Sequence, residues 1–161
     1  MKLYNYFRSS ASFRVRIALQ LKGLAYEYVP VHLAKGEQKQ PAFAAVTAEQ
    51  LVPVLEFADG RRLTQSMAII EYLDETHPQP ALLPADAVGR ARVRAAAQIV
   101  AADIHPINNL RVLKYLKDPL GHDQATIDAW ARHWITAGFA ALEAFAERHG
   151  GRFLYHDAVT L

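Results

Sequence analysis

The chain has 161 residues, enough for one ordinary domain or two small ones. Hydrophobic residues make up 52% and charged residues 21%, which excludes a wholly disordered chain, and a net charge of +2 is too small to mark a nucleic-acid binder. Cysteine is absent, which excludes disulfides, cysteine-built zinc sites and a protein-borne thiol nucleophile.

No apolar run approaches the ~18–20 residues of a membrane span. Met1–Tyr6 reads as a strand rather than a cleavable leader. A soluble cytoplasmic protein without nucleic-acid or membrane partners is therefore expected. Alanine is uneven: 18 of the 28 follow Pro80. A strong helix former concentrated there predicts a second half of different architecture.

The first half alternates. Leu3–Phe7 is aromatic and strand-like, and Ser12–Lys22 has helix propensity, with Gly23 placed to end it. Tyr26–Leu33 reads as a second strand, and Pro30 assigns it to an edge or a bulge. Pro41–Val46 fits a short helix. Val54–Phe57 and Arg62–Thr64 flank the turn dipeptide Asp59-Gly60 and read as a hairpin. Ser66 is the expected cap of a helix that Pro78 stops at His77. Strand–helix–strand followed by a hairpin implies a mixed sheet.

Three prolines in His77–Pro84 mark a junction. The expected division is an α/β domain over 1–80, a linker over 81–88 and an all-helical domain over 89–161. Asp86 is placed to cap one long helix over Val88–Leu116, kinked by Pro106. Asp118–Gly121 interrupts it, and Asp123 is placed to cap a second helix ending near His149. Ile127, Trp130, Trp134, Ile135, Phe139, Leu142 and Phe145 recur along that helix at helical spacing.

Four places carry candidate chemistry. Ser9, Ser10 and Ser12 lie between a strand and a helix start, where hydroxyls and unpaired N–H groups cap the helix or hold an anion. Ser12 is the expected cap. Val52-Pro53 precedes a strand: a cis bond would offer the Val52 backbone to a ligand, a trans bond would make an edge device, and the sequence leaves both open. Gln65-Ser66 at a helix start fits a cap, a carboxylate site, or both. Asp103, His105, Asn108, Asn109 and Arg111 surround Pro106, either as a structural polar network or as part of a site. No metal-ligand spacing occurs, and His122, His133 and His149 read as surface residues.

Together, FRSSASFRVRIALQLKG, LVPVL, LTQSMAIIEYLDE, ALLP and DIHPINN occur in an order that resembles the zeta-class glutathione transferases, the maleylacetoacetate isomerases, across essentially the whole chain. The resemblance implies a thioredoxin-like first domain with a mixed sheet, an all-helical second domain and a homodimer. It implies glutathione as cofactor, with Ser9 holding its thiolate and Ser10 beside it. Val52 before a cis Pro53 would pair with its cysteinyl part, and Gln65 and Ser66 would clamp its γ-glutamyl carboxylate. Gln38, His105 and Asn109 are further implied contacts. Arg8 and Arg111 would neutralise the carboxylates of a small unsaturated diacid.

The implied reaction is the cis–trans isomerisation of maleylacetoacetate by reversible thiolate addition, which explains how a protein without cysteine does thiol chemistry. A free thiol has a pKa of about 8.5, so a helix terminus and a donated hydrogen bond have ionisation to promote. The other readings are a maleylpyruvate isomerase, a general glutathione transferase or dehalogenase, and a non-catalytic glutathione-binding module. Three departures stand out. Ala11 replaces the family's usual cysteine, Thr47-Ala48 replaces Asn-Pro, and Leu110 follows Asn109 where maleylpyruvate isomerases tend to carry arginine. The family usually continues past the position of Leu161 into another helix, so the helical domain is expected to be partial.

Overall fold

The structure is a computed structural model that describes residues 1–161. It divides into two compact units, Met1–Ala81 and Leu82–Leu161. In the first, β1 (Lys2–Asn5), α1 (Ser10–Leu21) and β2 (Glu27–Pro30) are followed by two short 3-10 turns at Leu33–Lys35 and Glu37–Lys39. Then come α2 (Pro41–Ala44), β3 (Val54–Glu56), β4 (Arg62–Thr64) and α3 (Ser66–Thr76). The sheet order is β2-β1-β3-β4. β1 runs parallel to β2 and antiparallel to β3, which pairs antiparallel with β4. The mixed sheet and its closing hairpin are as expected, and Pro30 ends an edge strand, where its missing N–H costs no ladder bond.

The register explains the core. Leu3 opposes Leu55, and Tyr4 opposes Val54. Successive side chains alternate across a sheet, so these pairs face opposite sides. Val54 joins Val31 and Phe43 in one cluster, with Tyr4, Leu33, Val46 and Val52 against it. On the other helices, α1 and α3 pack together and bury Val15 and Leu19, Ile69 and Leu73, each pair spaced i, i+4 and fully out of water. Each such side chain contributes about 1.5–3 kcal/mol of transfer free energy.

The end of α1 is closed by backbone bonds. Gly23 has φ +65, its N–H donates to Gln20 O at 3.1 Å, and Leu24 N–H donates to Leu19 O at 2.9 Å. This is a Schellman ending, which requires the left-handed residue that glycine supplies. Beside it the buried Lys22 Nζ donates to Asp74 Oδ1, His77 O and Pro80 O at 2.6, 2.7 and 2.5 Å.

The regular elements of the second unit are all helical, and the segment after them carries an isolated bridge between Gly150 and His156. The long helix expected over Val88–Leu116 is instead three pieces: α4 (Ala87–Gln98), a π-helical segment Ile99–Ile104, and α5 (Leu110–Lys117). Pro106 has no N–H to continue the ladder. Asn109 starts the chain again as a cap, its Oδ1 accepting from Arg111 N and Val112 N at 3.0 and 3.4 Å. The loosened carbonyl of Ile107 accepts from Trp130 Nε1 at 3.0 Å, on α6 (Gln124–His149). Asp86 caps α4 and Asp123 caps α6, each accepting from the N–H three residues on. α6 also crosses the π segment so closely that a Cβ at Gly138 would collide with Ile104. Leu83, within the segment expected to be a linker, is buried with Val93 and Tyr155. His149, expected on the surface, is half-buried, its ring 4.9 Å from that of Phe145 and 6.1 Å from that of Tyr155.

Candidate functional site

Strand directions gather most of the candidate residues of the first unit at one end of the sheet. β1 leaves the sheet after Asn5 toward Ser9. Its antiparallel neighbour β3 begins at Val54, directly opposite Tyr4 and Thr64. The chain therefore enters β3 from Val52, and leaves β4 toward Gln65 and Ser66, at the end where β1 exits. β2 exits there too, because Asn5 pairs with Pro30, and it leads toward the turn carrying Gln38.

Ser9, not Ser12, caps α1. It has extended φ −76 and ψ 116, and its Oγ accepts from Ser12 N at 3.2 Å. Ser12 is fully buried and its Oγ has no partner. β1 ends two residues earlier than expected, so the helix begins earlier and turns residue 12 into the core. The consequence for Ser9 is chemical. Its oxygen accepts the helix N–H while its own hydrogen remains to be donated. A half-exposed hydroxyl donor thus stands at the positive end of α1. Ser10 is the first helical residue, Arg8 is exposed one step before the cap, and Arg16 Nη2 steadies the loop by donating to Phe7 O at 3.2 Å.

The Val52–Pro53 bond is cis. Val52 lies two residues outside the paired register of β3, so the sheet leaves its backbone unpaired, while its side chain packs on the Val31–Phe43–Val54 cluster. Pro53 is buried.

Ser66 is not the expected cap. Gln65 occupies the cap position of α3 without a side-chain cap bond, at φ 64 and ψ 112, a conformation few non-glycine residues adopt. Its Nε2 donates to Glu49 Oε2, and Thr64 Oγ1 donates to Glu49 Oε1, both at 2.9 Å. Ser66 is the first residue of α3, 5% exposed, and its Oγ accepts from Arg14 Nε and Nη2 at 3.1 and 2.9 Å. Burial holds the Arg14 guanidinium below its ordinary pKa. Arg14 and Glu49 were not singled out from the sequence. Arg14 lies within the RVR of the quoted motif, but its partner is 52 residues away.

Gln38 lies in the second 3-10 turn, with an enclosed Oε1 that has no partner. In the second unit, His105 follows the π segment and its N–H donates to Val100 O at 2.9 Å. Asn109 spends its Oδ1 on capping α5, and Arg111 is exposed on that helix's first turn.

The first unit therefore offers a hydroxyl at a capped helix N-terminus, an unpaired strand backbone, and another helix N-terminus that no side chain caps, backed by a guanidinium. This donor set fits glutathione: a thiolate end, a peptide middle and a free α-carboxylate.

Residues 1–75 match the family model of the glutathione S-transferase N-terminal domain. The maleylpyruvate isomerase of Ralstonia sp. is 55% identical over 163 residues, spanning 100% of this chain and 76% of the relative. The maleylacetoacetate isomerase of Pseudomonas aeruginosa is 48% identical over 155 residues, spanning 95% and 73%. Among solved structures, the maleylacetoacetate isomerase of Methylobacterium extorquens AM1, with bound malonate and glutathione, superposes with a TM-score of 0.95 at 42% identity, over 99% of this chain and 76% of that one.

Proposed function

This chain belongs to the zeta class of glutathione transferases, the family of the maleylacetoacetate and maleylpyruvate isomerases, and on that footing we propose that it is a glutathione-dependent isomerase converting maleylacetoacetate to fumarylacetoacetate. The observation that carries the reading is the Ser9 hydroxyl, its oxygen occupied by Ser12 N–H and its hydrogen left to donate at the start of α1.

When bound, glutathione supplies a thiolate whose reversible addition to a cis double bond lets that bond rotate. The chain's part is to hold and ionise. Ser9 donates to the sulfur, with Ser10 beside it, and each unit by which they lower the thiol pKa is about 1.36 kcal/mol of preference for the thiolate. The Val52 backbone, set by Pro53, pairs with the peptide middle. Gln65, Ser66 and the N–H groups of α3 hold the γ-glutamyl carboxylate, and Gln38 completes the first unit's glutathione contacts. Arg8, exposed one residue before the cap, neutralises a carboxylate of the diacid and the negative charge that develops on it. The active form is a homodimer working in the cytoplasm.

A second substrate, maleylpyruvate, is favoured by the 55% identity to the Ralstonia enzyme. Leu110, where that activity is associated with arginine, favours maleylacetoacetate. The test is turnover of each cis-diacid with and without glutathione. Glutathione-dependent conversion with a higher kcat/KM on maleylacetoacetate is expected, and no glutathione-dependent conversion of either diacid overturns the reading.

A further inference from the structure

Arg14 is a half-buried cation with no carboxylate within ion-pair distance. Withdrawing a guanidinium from water without a counter-charge is unfavourable, and its depressed pKa reflects that burial with no anion to offset it. Its Nε and Nη2 both turn to one neutral oxygen, Ser66 Oγ, at 3.1 and 2.9 Å. A serine oxygen has two acceptor sites and one hydrogen. With both sites filled, the Ser66 hydroxyl can act only as a donor, and it does so at the start of α3, where no side chain caps the helix.

We propose that Arg14 is a positioning residue for the α-carboxylate of the γ-glutamyl group: it fixes Ser66 as an obligate donor and supplies the positive charge that the carboxylate completes. The inference deepens the glutathione reading and rests on it. Arg14 also joins the two ends of the ligand, because it belongs to the helix whose first residue follows Ser9, and it reaches across to the helix that begins with Ser66. α1 and α3 are packed together, so the distance between thiolate holder and carboxylate holder is set by the core.

The test titrates glutathione and its decarboxylated analogue, γ-aminobutyryl-cysteinylglycine, into the native protein, R14Q and R14K by calorimetry. Steady-state kinetics run alongside. The native protein should prefer glutathione by about 10- to 100-fold, the range of a hydrogen bond to a charged group. R14Q should lose most of that preference and bind the analogue about as the native protein does. Its KM for glutathione should rise by a similar factor while kcat at saturation stays within about twofold. R14K keeps the charge but cannot fork onto one oxygen, and should retain a preference of only a few-fold. R14K carries the decision if R14Q lacks a native melting transition. A native-sized preference in a folded variant overturns the inference while leaving the glutathione reading intact. A native protein that binds neither ligand overturns both.

Discussion

The Lys22 ammonium lies 2.6 Å from the Asp74 carboxylate, with the lysine side chain wholly buried and the aspartate one-tenth exposed. The same ammonium bonds the carbonyls of His77 and Pro80, so one charge ties the end of α1 to the end of α3 and the segment after it. A buried pair of this kind is costly to break from one side, because the remaining charge stays desolvated. D74N is expected to lose about 3–5 kcal/mol of stability. In a double-mutant cycle with K22M, the coupling should exceed the ~1 kcal/mol limit of exposed pairs. Urea denaturation of the four proteins measures this, and a coupling near zero would show that the pair is no stronger than a surface contact.

The proposed function gives Ser9 a second role beside its cap. As the cap of α1 it is worth about 1 kcal/mol of stability, so S9A should melt only slightly earlier. As the donor to a thiolate it is worth more, about 1.5–3 kcal/mol for a bond to a charged group. S9A should therefore lose about 10- to 100-fold in kcat/KM. The midpoint for ionising bound glutathione, followed by thiolate absorbance, should rise, because the lost bond favoured the charged form. S9T should restore both. Equal thiol midpoints in native protein and S9A would remove Ser9 from the chemistry.

Gln65 holds φ 64 without the steric freedom of glycine, at an order of 1–3 kcal/mol. Q65G removes that strain and forfeits only an exposed bond to Glu49. Its melting temperature should equal or exceed that of the native protein, while its KM for glutathione rises. Q65V, β-branched at a positive φ, should melt earlier. A clear loss of stability in Q65G would mean that the Glu49 bond, and not the backbone, governs this position.

Local signals predicted most of the fold. The Asp59-Gly60 hairpin, the edge assignment of Pro30 and the caps at Asp86 and Asp123 each depend on residues within a few positions of one another. The misread features depend on distant partners. Ser9 and Ser12 have equal capping propensity, and only the packing that buries Ser12 selects Ser9. Ser66 has the composition of a cap, but a guanidinium 52 residues earlier in the chain takes its oxygen. The pairing of Gln65 with Glu49 spans 16 residues, and the π-helical segment before Pro106 packs at Ile104 against Gly138 of α6, far along the chain. Motif order pointed to the candidate site; contacts across the fold decide how each side chain in it is held.

His149 links pH to the stability of the second unit. Desolvation, followed by the positive charges of Arg92, His156 and Arg148, lowers its pKa from the ordinary value of 6.5. In the unfolded chain the imidazole regains that ordinary value, so on acidification the unfolded state binds the proton first. Stability should therefore be unaffected by this group at alkaline pH. It should fall as pH drops through about 6.5, and level off once the folded-state pKa has been passed. H149Q keeps a polar side chain and removes the titration. Melting temperatures of native protein and H149Q across this range should converge as pH falls, the native protein losing the larger share. A constant offset between the two at every pH would mean that the ring contacts with Phe145 and Tyr155, and not its ionisation, account for what His149 contributes.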